Sequence, residues 1–171
     1  SNNQSALNIL EVFSMFKLSD WKNPTVDIIP LFETVSDLSV AAKVMESVYN
    51  NSTYRKHLAN REDKQTIMLG FSDGTKDGGY LMANWSILKA KESLTSISRK
   101  YGVKVVFFDG RGGPPARGGG NTHQFYASMG TFVESDEIQL TVQGQTISSN
   151  FGTVDSCQYN LEQLLSAGIQ N

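Results

Sequence analysis

The run V-K-V-V-F-F from Val103 to Phe108 passes without a break into D-G-R-G-G-P-P-A-R-G-G-G-N, Asp109 to Asn121, and this junction constrains the fold more than any other stretch. β-Branched and aromatic residues at this density predict a strand buried on both faces, as in a parallel sheet. The loop that follows is nearly devoid of side chains, so its backbone amides can approach a ligand closely while Arg111 and Arg117 supply two guanidiniums. Arginine presents a planar fork of donors matched to carboxylate and phosphate oxygens and stays charged at any working pH. The pair therefore predicts a cradle for a dianionic or polyanionic ligand at the end of a buried strand. Two plainer readings compete with it. Glycine-rich loops are often only turns, and paired R-G-G units also occur in disordered RNA-binding segments. Those segments are long and repetitive, whereas this one is short and lies between a strand and a helix.

A formal net charge of −2 over 171 residues gives no general electrostatic reason to expect nucleic acid or an anionic membrane, so any anion site must be local. With 39% hydrophobic and 19% charged residues, the chain is ordinary for a globular domain and is read as one. The single cysteine, Cys157, excludes an intrachain disulfide framework, fits a reducing compartment and is expected to pack rather than react. No apolar stretch is long enough to span a bilayer and no basic-then-apolar leader opens the sequence, so a cytoplasmic location is expected.

Taken in order, Ser5 to Leu18 has helical spacing through Leu7, Leu10, Phe13 and Phe16. Val26 to Phe32 reads as a strand, with Pro30 a feature against it because proline cannot donate to a ladder. Thr34, Ser36 and Asp37 supply N-cap chemistry for a helix with Leu38, Ala41, Met45 and Val48 on one face. Tyr54 to Leu58 reads as a short helical piece, with His57 among charges and therefore at the surface. Thr66 to Phe71 is a second strand, S-D-G-T-K-D-G-G a polar loop, and Tyr80 to Tyr101 a helix with its periodicity carried by Leu81, Trp85, Leu88, Ser93 and Ile97. After the arginine loop come a short helix from Thr122 to Met129, carrying His123, a strand from Glu137 to Val142 and a last helix from Val154 to Ala167.

This alternation predicts an α/β fold of repeated strand-helix units with parallel strands and right-handed crossovers. Parallel sheets place their chemistry at the carboxyl ends of their strands. Those ends carry Glu33, then Asp73 with Lys76, then Asp109 with Arg111, then Gln143. Two carboxylates at neighbouring ends suit a hard divalent cation such as Mg2+ or Mn2+. Either could equally cap the helix that follows it. Lys76, Arg111 and Arg117 add positive charge suited to a phosphorylated, carboxylated small molecule and to charge developing on oxygen.

The stretches P-L-F-E-T (Pro30 to Thr34), M-L-G-F-S-D-G-T-K-D-G-G (Met68 to Gly79), F-F-D-G-R-G-G-P-P-A-R-G-G-G (Phe107 to Gly120) and V-Q-G-Q (Val142 to Gln145) resemble phosphoenolpyruvate carboxylase, in that family's order and at similar spacing. The resemblance covers most of Val26 to Gly152 and rests on several linked motifs. It implies a (β/α)8 TIM-type barrel, dependence on Mg2+ or Mn2+, and formation of oxaloacetate and phosphate from phosphoenolpyruvate and bicarbonate. It further implies that Glu33 and Asp73 are the metal ligands and that Lys76 is a substrate-side cation. Arg111 would hold phosphate or carboxyphosphate, and Arg117 would sit on a mobile glycine loop that also engages dicarboxylate inhibitors. Gly112, Gly113 and Gly118 would line the substrate within that loop, and Asp109 is counted among the catalytic positions.

Two positions depart from the family pattern. Asp109 stands where the family commonly has histidine before G-R-G-G, and Gln145 ends Q-G-Q where the family commonly has Q-G-E. A T-A-H-P-T-E type segment, which holds the family's catalytic histidine, is absent, and neither His57 nor His123 lies in such a context. A (β/α)8 barrel takes about 250 residues, so the chain is expected to be a partial catalytic domain of a longer enzyme, about half a barrel, inactive alone and prone to form a homo-oligomer. Two other readings stay open: another barrel enzyme acting on phosphoenolpyruvate or a related enol, and a phosphoanion-binding regulatory module without turnover.

Overall fold

Strands and helices alternate through the computed structural model, which describes residues 3–111, 113–114 and 118–169. The elements are α1 (Ala6–Leu18), β1 (Leu31–Phe32), α2 (Val35–Tyr49), α3 (Ser52–Ala59), β2 (Lys64–Gly70), α4 (Ser72–Lys100), β3 (Lys104–Gly110), α5 (Thr122–Ala127), β4 (Ile138–Leu140), α6 (Gln145–Phe151) and α7 (Val154–Ile169). The four strands form one sheet in the order β1-β2-β3-β4, every pair parallel. This is the expected α/β arrangement, consistent with part of a (β/α) barrel. No helix among the described residues is long and apolar enough to cross a membrane.

Register assigns the faces. Ile67 pairs with Phe107, Leu69 with Asp109, and Asp109 with Leu140, so these side chains share one face, and Phe32 joins them opposite Leu69. Phe32, Ile67, Leu69, Val105 and Phe107 belong to a continuous core with Leu38, Met45 and Val48 of α2 and Ile87 and Leu94 of α4. The opposite face carries Leu31, Met68 and Phe108, which are half-buried and outside that core. Helices therefore cover one face of the sheet, while on the other Thr66 and Val106 are buried and the side chains nearer the carboxyl ends are only half-buried.

Several elements differ from the sequence reading. β1 is two residues long rather than seven. Pro30 has no N–H to give, and only its carbonyl joins the ladder, accepting from Met68 at 2.8 Å. The loop expected at S-D-G-T-K-D-G-G is instead the first two turns of α4, which kinks at Gly79 (φ 78°, ψ 168°), a conformation open essentially to glycine alone. Past the kink the inward face is Ala83, Ile87, Ala90, Lys91, Leu94 and Ser98, while Leu81 (82% exposed) and Trp85 face outward. On α1, Ile9 and Phe13 are buried and Leu7 is exposed. His57 is buried rather than superficial, lying between Phe13 and Tyr54 with ring centroids 5.1 and 5.6 Å away. α6 has no counterpart in the sequence reading, and Tyr159, Leu161 and Leu165 of α7 are exposed.

Candidate functional site

The parallel sheet brings Glu33, the turn after β2 and the arginine loop to one rim, at the carboxyl ends of β1, β2 and β3. A capping box shapes the first of these ends. Thr34 N–H donates to Asp37 Oδ2 at 3.1 Å, and Asp37 N–H donates to Thr34 Oγ1 at 3.2 Å. The backbone N–H of Val35 donates to Asp77 Oδ2 at 3.3 Å, which pulls the first turns of α4 against the start of α2.

That closure sets Glu33 beside Asp73. A side-chain hydrogen bond with Asp73, together with burial and Asp73's charge, holds the Glu33 carboxyl above its ordinary range. Lys76 Nζ sits 2.7 Å from Asp73 Oδ1. Carboxylate, carboxylate and ammonium thus adjoin one another across two strand ends. Among the described residues no group of three or more His, Cys, Asp or Glu side chains is gathered as a metal site. Two adjacent carboxylates nonetheless fit the donor set of a hard divalent ion that keeps several waters and completes its shell with substrate oxygens.

Arg111 follows the third strand end directly, and most of its guanidinium is already engaged. It is 4% exposed and stacks on Phe125, 4.2 Å from the ring centroid. Its Nη1 and Nη2 donate to the carbonyls of Gly120 and Asn121 at 3.3 and 3.4 Å, joining the two ends of the glycine loop. Nε is buried without a partner, and burial lowers the guanidinium's pKa without discharging it. Arg111 forms part of the wall of two cavities. One, about 480 Å3, is lined also by Gly113, Asn121, His123, Thr141 and Gln145; the other, about 380 Å3, by Tyr80, Trp85 and Phe125. His123 therefore faces a cavity beside the loop.

Gly113 lines the larger cavity, and Gly118 is buried against the first turn of α4. A β-carbon at Gly118 would come within 2.8 Å of Phe71 Cβ and 2.9 Å of Thr75 Oγ1, so only glycine lets the loop lie this close to the turn bearing Asp73 and Lys76. Arg117 and Gly112 lie outside the described residues.

Asp109, expected among the reacting groups, is fully buried on the helix-covered face of the sheet. Its Oδ2 accepts from Lys91 Nζ at 2.7 Å and from the Tyr126 hydroxyl at 2.8 Å, while Oδ1 is buried without a hydrogen-bond partner. The sequence reading missed Lys91, Tyr126 and Phe125. A signal for Lys91 was present, because it falls on the apolar stripe between Ile87 and Leu94 at helical spacing.

Two acids and a lysine thus meet at neighbouring strand ends, beside a glycine loop with a buried arginine, in an α/β fold consistent with part of a (β/α) barrel. The family model for phosphoenolpyruvate carboxylase matches residues 1–171, the whole chain. The chain belongs to the phosphoenolpyruvate carboxylase family.

Proposed function

We propose that this chain carries the metal-and-phosphate side of a carboxylase site at which phosphoenolpyruvate and bicarbonate become oxaloacetate and phosphate. The supporting observation is the convergence of Glu33, Asp73 and Lys76, with Gly118 packed against the same helical turn. Glu33 and Asp73 would hold Mg2+ or Mn2+, which when bound supplies Lewis-acid stabilisation of an enolate oxygen. Lys76 brings a point charge to the substrate side of the acid pair. Arg111 and Arg117 offset charge on the phosphoryl oxygens as bicarbonate attacks phosphorus and the enolate oxygen leaves. In this reading Gly112, Gly113 and Gly118 serve the substrate side of the loop, their lack of side chains leaving room for the transferring group. The enolate carbon then takes up carbon dioxide released from carboxyphosphate.

In this reading the chain is about half of a (β/α)8 barrel, part of a longer cytoplasmic enzyme that assembles as a homo-oligomer, and Arg117 also meets dicarboxylate inhibitors. A second reading, a phosphoanion-binding module without turnover, draws on the engagement of both Arg111 Nη groups by loop carbonyls.

The test uses the natural full-length protein carrying this chain. A coupled oxaloacetate assay is expected to show strict dependence on a divalent cation, with activity abolished in Asp73→Asn and Glu33→Gln at ordinary metal concentrations. Mg2+ should also raise the melting temperature of the unsubstituted protein and leave that of Glu33→Gln unmoved. Near-normal rates in either variant overturn the metal assignment. Phosphoenolpyruvate binding without oxaloacetate formation selects the second reading.

A further inference from the structure

The ion pair between Lys91 and Asp109 is almost wholly removed from solvent, the two side chains being 2% and 0% exposed. Desolvation of two charges cancels most of their attraction, so a buried pair adds little stability over apolar residues of similar volume. What it adds is direction. Asp109 Oδ2 takes hydrogen bonds from α4 through Lys91 and from α5 through Tyr126. Asp109 immediately precedes Gly110, where the glycine loop begins, and α5 starts at Thr122, where the loop has just ended. One carboxylate oxygen thus joins both feet of the loop to the long helix whose first turn bears Asp73 and Lys76.

The rings around the pair extend this tie to Arg111. Lys91 Nζ lies 5.0, 5.4 and 5.6 Å from the ring centroids of Phe107, Phe125 and Tyr126. Phe125 is also the ring on which Arg111 stacks, and it meets Phe71, the residue leading into α4, edge to face at 5.5 Å. A shift of Tyr126 would carry its neighbour Phe125 with it and open the surface under Arg111. Burial and the adjacent Asp109 charge push the Tyr126 hydroxyl well above its ordinary pKa, so it remains a donor throughout the working range.

We propose that Lys91, Asp109 and Tyr126 form a buried positioning triad, which clamps both feet of the arginine loop and holds Arg111 on Phe125 between the two cavities it lines. Asp109 then acts through Arg111 rather than on substrate. The kinetic arm of the test rests on the carboxylase reading; the proteolytic arm does not.

Both arms use the natural full-length protein. Tyr126→Phe keeps the ring and the Lys91–Asp109 pair and removes only the hydroxyl. Trypsin cleavage after Arg111, followed by mass spectrometry, is expected to accelerate about tenfold, as the loss of a hydrogen bond to a charged group implies. For phosphoenolpyruvate, kcat should fall by about the same factor while KM stays within about threefold, because the group that offsets charge as bicarbonate attacks phosphorus has been misplaced. The triple variant Lys91→Met, Asp109→Leu, Tyr126→Phe removes the polar groups at similar volume. It is expected to melt near the unsubstituted protein and still show fast cleavage after Arg111. Cleavage as slow as in the unsubstituted protein, in Tyr126→Phe or in a folded triple variant, overturns the triad. A protein that makes no oxaloacetate at all ends the carboxylase reading and leaves the cleavage rates to decide the triad.

Discussion

His57 illustrates how much a single residue's character depends on what packs over it. Its neighbours in the chain are Arg55, Lys56 and Arg61, which in sequence suggest a wet surface. In the fold α1 lays Phe13 on the imidazole, leaving it 4% exposed with Nδ1 buried and unpartnered. Burial, assisted by the nearby Arg61 and Lys17 charges, lowers its pKa. The native state therefore resists protonation while the unfolded chain takes up a proton near the ordinary value of about 6.5. Stability from this group is complete above that pH and is lost as pH falls from it toward the lowered native value. Melting temperature is expected to drop between pH 7 and pH 5 more steeply in the unsubstituted chain than in His57→Phe, which keeps a ring between Phe13 and Tyr54. Parallel pH profiles in the two would show that the imidazole does not titrate against folding.

Among the elements, α2 was legible because its signals are local. Thr34 and Asp37 are three residues apart and make the same reciprocal capping bonds in the fold that their spacing predicts. β2 and β3 were legible for a like reason, their apolar runs being continuous and bounded by polar loops. The start of α4 was not. Glycine and aspartate at residues 72–79 disfavour helix locally, and the two turns form because Asp77 caps α2 and Thr75 Oγ1 donates to Phe71 O at 2.7 Å. Gly79 then lets the helix change direction without strain. Gly79→Ala should destabilise the fold by about 1–3 kcal/mol, since a β-carbon is disfavoured at that backbone geometry although nothing lies near enough to clash with it. Denaturant unfolding measures this, and a change below about 0.5 kcal/mol would mean that the kink relaxes readily.

Across the whole molecule, helices cover one face of the sheet, Leu31, Met68 and Phe108 are half-buried on the other, and β1 and β4 lie at its edges. Apolar surface and unpaired strand edges of this kind favour association. The 171-residue chain alone is expected to sediment as an oligomer at high concentration and to form no oxaloacetate; a compact monomer, or measurable turnover, would contradict that. What the sequence by itself determined was whatever depends on residues close along the chain: the strand leading into the glycine loop, the parallel strand-helix rhythm, the α2 cap, and the motifs that place Glu33, Asp73, Lys76 and Arg111 at strand ends. Tertiary structure alone decided which of those groups meet solvent and which meet each other. Asp109 and Arg111 stand two apart in one motif, yet the first faces the helices, paired with Lys91 and Tyr126, and the second closes the loop over Phe125. The physical reason is that β3 ends at Gly110, so Arg111 has left the pleat whose two-residue period would have kept it on the face of Asp109, while burial and ion pairing depend on partners brought in from distant segments, and these leave no trace in local spacing.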